Sequence, residues 1–132
     1  MELMYQSTRS EGTKVTASQA ILKGLAADGG LYVPEQIPAL DKSFEELSKM
    51  SYQEVAYEVM KLMLDDFTEE ELKNCINKAY DSKFDTEEIA PLAEVDGAYY
   101  LELFHGATIA FKDMALSLLP YLMTLSLKQL KE

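Results

Sequence analysis

Four helix starts in this 132-residue chain are signalled by one device, a hydroxyl residue followed three positions later by Glu or Gln: Thr16/Gln19, Ser43/Glu46, Ser51/Glu54 and Thr68/Glu71. In such a pair the hydroxyl accepts from the backbone N–H three residues on, and the Glu or Gln side chain accepts from the backbone N–H of the hydroxyl residue. Both are donors that a helix start otherwise leaves without partners, so each box marks where a helix begins. The first box predicts a helix from about Ala17 to Leu25, the second one after Ser43, the third one from Ser51 to Leu64. The fourth starts a helix at Thr68, whose acids Glu69, Glu70 and Glu71 suit a helix N-terminus through its dipole and call for no metal. Tyr52, Val55, Ala56, Val59 and Met63, and then Leu72, Cys75, Ile76 and Ala79, recur at helical spacing and mark the expected packing faces.

Between and beyond these helices the signals are extended. After the first helix, the turn "ADGG" leads into "LYV", Leu31 to Val33, a short strand closed by Pro34. Asp96-Gly97 lies between two short extended runs and predicts a hairpin with a type I′ turn. Tyr99, Leu101 and Leu103 alternate with Tyr100, Glu102 and Phe104, so one face of the hairpin is expected to pack inward, with Gly106 ending the strand region. A final helix is expected from near Phe111 or Lys112 to Leu130. It is apolar on nearly all sides except for Ser117, Tyr121, Thr124 and Lys128, which suggests the interior of a larger protein. Pro120 lies inside that run and predicts a kink. The fold class expected is α/β (mixed α+β in this stretch), mostly helical, with a short hairpin and a small sheet.

Charge and cysteine usage narrow the function. The chain has 23 acidic and 12 basic residues, a net charge of −11, which argues against nucleic acid because phosphate binding needs clustered Lys and Arg. Cys75 is the single cysteine, so no internal disulfide forms, and its place on an apolar stripe points to a buried core residue. Glu2, Arg9, Glu11 and Lys14 leave no apolar block for a signal peptide. The longest uncharged run, Met114 to Leu127, falls short of the roughly 18 apolar residues of a membrane span. No membrane association and a cytoplasmic location are expected.

One charge stands out. Lys112 lies between Ile109, Ala110 and Phe111 on one side and Met114, Ala115 and Leu116 on the other, with Asp113 alone interrupting. Apolar neighbours favour burial, which disfavours an ammonium, and a helix N-terminus acts in the same direction; Asp113 opposes both. A neutral amine is what attack on an aldehyde requires, so Lys112 is a Schiff-base candidate. The ordinary alternative, a solvated surface lysine, stays open on these grounds. His105, the single histidine, has two readings: a group near a cofactor, or a histidine hydrogen-bonded in a strand-to-loop bend.

The segment "LELFHGATIAFKDMAL", Leu101 to Leu116, resembles the cofactor-lysine segment of the threonine synthases, fold-type II pyridoxal phosphate enzymes. "YQSTRS", Tyr5 to Ser10, and "ILKGLAADGGLYVPEQIP", Ile21 to Pro38, resemble the same family in the same order. The resemblance implies that Lys112 carries pyridoxal 5'-phosphate and is the catalytic base and acid. It implies conversion of O-phosphohomoserine and water to threonine and phosphate by the full-length enzyme. Where the family often has "HGPT" this chain has Ala107, which implies a small change in loop rigidity. Ser7, Thr8 and Arg9 could face substrate. The family's Gly-rich phosphate loop is not found here, so 1–132 reads as an N-terminal domain with 92–132 leading into a cofactor-binding domain beyond it. Such a portion is expected to be inactive alone, to hold the cofactor poorly and to self-associate through its last helix. Two other classes compete: another fold-type II lyase of the threonine dehydratase or cysteine synthase type, and a non-enzymatic module that docks through that helix.

Overall fold

All four capping boxes form where the spacing places them, each with the reciprocal pair of hydrogen bonds. The computed structural model describes residues 2–10 and 12–131; Glu11, counted above among the N-terminal charges, lies outside them, as do Met1 and Glu132. In chain order the elements are β1 (Tyr5–Ser7), α1 (Ala17–Lys23), β2 (Tyr32–Pro34), α2 (Phe44–Leu47), α3 (Tyr52–Met63) and α4 (Glu69–Ala79). There follow β3 (Leu92–Val95), β4 (Ala98–Leu101), α5 (Asp113–Leu116) and α6 (Leu119–Gln129). The result is the expected mixture of helices with two small antiparallel sheets.

β1 pairs with β2 in the register Tyr5 to Pro34 and Ser7 to Tyr32, and Tyr5 also bridges to Val15. This ribbon packs Leu3, Tyr5, Val15 and Ala17 into a small cluster against Met63 and Leu64 at the end of α3. The Tyr5 hydroxyl donates to the Met63 carbonyl, and Leu3 N–H to Asp65 Oδ2 at 2.7 Å. The main core is built on α4, whose expected stripe of Leu72, Cys75, Ile76 and Ala79 is buried in full. Phe67, Tyr80, Phe84 and Ile89 surround it, and Leu118 and Leu122 close it. Fully burying one such side chain stabilises by about 1.5–3 kcal/mol, so this stripe is a main anchor of the fold.

Three expectations need correction. On α3 Tyr52, Ala56 and Met63 of the expected stripe pack, joined by Tyr57 and Met60, while Val59 is exposed; Tyr52 packs edge-on to Tyr80 at 5.0 Å. The hairpin has the predicted turn, with φ of 51° at Asp96 and 78° at Gly97, but β4 ends at Leu101 and both faces are open. Tyr99 and Tyr100, on opposite faces, are 65% and 57% exposed. A two-stranded ribbon without a covering layer has no inside for its alternating pattern to select. Lastly, the single long helix is two. α5 and α6 are separated at Ser117 and Leu118, and Pro120 falls at the second position of α6, where a missing N–H costs no intrahelical bond. α6 packs Leu122 and Ser126 inward, with Tyr121 against the core, and leaves Leu119, Met123, Leu127 and Leu130 exposed. The solvent face therefore is not the polar stripe. No helix among the described residues is long and apolar enough to cross a membrane.

Candidate functional site

Lys112 occupies the N-cap position of α5 in a helical conformation, φ −62° and ψ −21°, and is exposed. The expectation that its apolar neighbours bury it fails because they are exposed with it: Ile109 is 73% and Phe111 65% exposed. The helix-dipole argument weakens too, since α5 has only four residues. The amine makes no hydrogen bond or ion pair among the described residues, Asp113 included. It stands at a groove of about 580 Å³ whose walls include Leu101, Leu103, Phe111, Met114 and Leu116.

Asp113 explains why the neighbouring carboxylate does not hold this amine. Successive helical residues point about 100° apart, and the Asp113 side chain turns inward, 6% exposed. Asp113 Oδ2 accepts from Thr108 N–H at 2.8 Å and Oδ1 from Thr108 Oγ1 at 2.7 Å. These bonds from the Thr108 hydroxyl and backbone hold the carboxyl below the usual range. A Cβ on Gly106 would stand 2.5 Å from Asp113 Cβ, so the loop closes this tightly only with glycine there. From the other side, the buried Tyr80 hydroxyl donates to the Met114 carbonyl at 2.6 Å and fixes the first turn of α5 to the core. Burial raises the pKa of that phenol, which keeps it a donor.

His105 takes the bend role. Its Nε2 meets Glu102 Oε2 at 2.7 Å, its Nδ1 meets Asp85 Oδ1, and its ring stacks on Phe104 at 4.5 Å. Glu102 first and Asp85 second raise its pKa by favouring the imidazolium. Asp85 N–H also donates to the His105 carbonyl at 3.0 Å, so this residue pins the loop after α4 to the segment after β4.

Ser7, Thr8 and Arg9 fold onto the "ADGG" turn. Asp28 Oδ2 accepts from Ser10 Oγ at 2.6 Å, and Oδ1 accepts from Ser7 Oγ at 2.7 Å and Gly30 N–H at 2.9 Å. These donors, Ser10 foremost, hold the Asp28 carboxyl down at about 2. Arg9 Nη1 donates to the Asp28 carbonyl at 3.2 Å, and Thr8 Oγ1 accepts from Leu31 N–H at 3.1 Å. Two of the motifs quoted from the sequence thus form one local unit. Neither that unit nor His105 lines the groove at Lys112. Sequence reasoning missed Thr108 and Asp28 and set Asp113 against Lys112 instead of Thr108; their polar types alone give no sign of partners two, five or eighteen residues away.

Residues 4–80 match the family model described as threonine synthase N terminus. The chain belongs to the threonine synthase family. Threonine synthase of Saccharomyces cerevisiae is 40% identical over 123 residues, covering 86% of this chain and 24% of that protein. Threonine synthase of Corynebacterium glutamicum is also 40% identical, covering 97% of this chain and 28% of that protein. The crystal structure of a pyridoxal phosphate-bound threonine synthase from Brucella melitensis superposes with a TM-score of 0.87 at 35% identity, covering 99% of this chain and 29% of that one. The chain therefore spans about a quarter of the length of the threonine synthases it matches, in their N-terminal part, and shares their fold there.

The groove suits one end of a pyridoxal phosphate. An unpaired primary amine beside apolar walls matches an aldehyde on a flat aromatic ring. Lys112 is the one cation lining it, and the Gly29-Gly30 pair is already used in the Asp28 turn, so no phosphate cradle appears among the described residues.

Proposed function

We propose that the full-length protein carrying this segment converts O-phosphohomoserine and water to threonine and phosphate, with Lys112 as both the cofactor attachment residue and the catalytic base and acid. The observation that carries the reading is Lys112 itself: an exposed amine without a partner, at the head of α5 and facing an apolar groove, in a threonine synthase-family chain. When bound, pyridoxal phosphate supplies an electron sink for carbanionic character next to the amino group. The work of this chain is positional. The Thr108–Asp113 loop and the Tyr80–Met114 bond fix the backbone on both sides of Lys112. The apolar walls offer the cofactor ring a surface beside the amine, which takes and returns protons close to its substrate.

The further parts of the reading follow from the same placement. Segment 92–132 leads into a cofactor-binding domain that supplies the phosphate ligands, so the 132-residue chain alone turns over no substrate and retains the cofactor poorly. The exposed residues Leu119, Met123 and Leu127 recur every four positions on α6, with Leu130 just after it, and form an apolar stripe. Through it the isolated chain self-associates. A cytoplasmic location fits a soluble biosynthetic enzyme of this kind.

The test is phosphate release from O-phosphohomoserine by the full-length protein. Lys112→Ala is expected to abolish it while the protein stays folded. Unchanged release in Lys112→Ala would sink the reading.

A further inference from the structure

The residue after Lys112 is a carboxylate that takes no part in the proton transfers above, and among the described residues it is the one charged side chain that is buried. Its surroundings give it a role. Between Gly106 and Asp113 the chain makes two successive tight turns, closed by Ile109 N–H to the Gly106 carbonyl at 3.1 Å and Asp113 N–H to the Ala110 carbonyl at 3.0 Å. At their junction Ile109 is held at φ 63°, a conformation a β-branched residue adopts only when its surroundings force it. The two turns by themselves give no reason for that conformation. What spans both is the Asp113 carboxylate, which takes the N–H and the hydroxyl of Thr108 with its two oxygens and sits against Gly106 with no space to spare.

Resting on the reading of Lys112 as cofactor lysine, we propose that Asp113 is its positioning residue: by clasping Thr108 it holds the 106–112 loop closed and fixes where the Lys112 amine stands. The carboxylate acts away from the amine, through the backbone. Opening the clasp frees Ile109 to leave the left-handed region, which turns the peptide plane that leads into Ala110, Phe111 and Lys112. An amine displaced by about an ångström loses a large part of its effective concentration towards a bound aldehyde.

The test compares Asp113→Ala, Thr108→Val and Thr108→Ser in the full-length protein. Each is incubated with a fixed, subsaturating concentration of pyridoxal 5'-phosphate and reduced with borohydride, and the modified lysine is located and quantified by peptide mass spectrometry. Circular dichroism and the melting temperature are recorded alongside. Thr108→Val keeps the shape and loses the hydroxyl donor; Thr108→Ser restores it. Asp113→Ala and Thr108→Val are expected to lower the yield on Lys112 by roughly tenfold or more with the fold intact, and Thr108→Ser to stay within about twofold of the parent. Full yield on Lys112 in Thr108→Val, or a Thr108→Ser yield as low as that of Thr108→Val, overturns the proposal. If Asp113→Ala does not fold, the threonine pair decides alone. An adduct that maps to another lysine in the unmodified protein overturns the cofactor-lysine reading and this proposal with it. Full yield on Lys112 in the variants overturns only the clasp.

Discussion

Ile89 and Ile109 have the same backbone strain in opposite surroundings, which allows the strain to be measured. Their φ angles are 60° and 63°, and both side chains are β-branched. Holding a non-glycine residue there costs about 1–2 kcal/mol. Glycine removes that cost but gives the unfolded chain extra freedom worth about 0.5–1 kcal/mol. On backbone grounds alone, either Ile→Gly exchange therefore stabilises by about 0–1.5 kcal/mol. Packing then separates them. Ile89 is 1% exposed in the main core, and losing its side chain costs about 2–5 kcal/mol. Ile89→Gly should destabilise by roughly 0.5–5 kcal/mol after the backbone gain. Ile109, 73% exposed, has little burial to lose, so Ile109→Gly should be neutral or stabilising. Urea unfolding followed by circular dichroism reads both, and with a slope of about 1–3 kcal/mol per molar urea the two midpoints should differ by about 1 M or more. A midpoint for Ile109→Gly at or below that of Ile89→Gly would refute the accounting, and with it the claim that the Ile109 conformation is imposed.

Three further outcomes are expected. His105 has its pKa raised by Glu102 and Asp85, so its stabilising contribution is full below its unfolded value near about 6.5 and is lost as pH rises through the higher folded value. The gap between parent and His105→Gln in urea midpoint should therefore narrow towards alkaline pH, and a gap constant from about pH 5 to 9 contradicts it. Pro120→Ala should change stability by no more than about 0.5 kcal/mol, because the proline sits at the second position of α6; a gain near 3 kcal/mol would mean that it interrupts one continuous helix. Cys75 is buried and its thiol pKa is raised by that burial, so a thiol reagent should modify it only at the rate of unfolding; prompt reaction in the folded state would count against its burial.

What was legible in the sequence was what depends on near neighbours. A capping box needs residues three apart, and the Asp96-Gly97 turn needs two adjacent ones, so both are visible in the sequence and formed as expected. The stripe on α4 was equally plain because that helix meets core along its whole length. Exposure at Lys112 was not legible, since an apolar run shows what could be buried and not what is available to bury it. The inward turn of Asp113 depends on Ile109 adopting a conformation that its side chain disfavours, so propensity pointed the wrong way. Pro120 was misplaced for a related reason: helical periodicity runs on through Ser117 and Leu118, and nothing in the pattern shows that the helix restarts there.

The four capping boxes differ in one chemical detail. In α1 the returning acceptor is the Gln19 amide, at 3.2 Å from the N-cap N–H; in α4 it is the Glu71 carboxylate, at 2.9 Å; in α2 and α3 it is again a carboxylate, Glu46 or Glu54, at 2.8 and 2.7 Å. The backbone N–H groups of Ser43 and Ser51 are the main reason the two carboxyls titrate low, so the helix starts they secure are complete above the ordinary glutamate range and weaken as acid protonates them. Gln19 has no proton to gain. Acid therefore frays the middle of the chain from the starts of α2 and α3, while the cap of α1, beside the β1–β2 ribbon, keeps its grip.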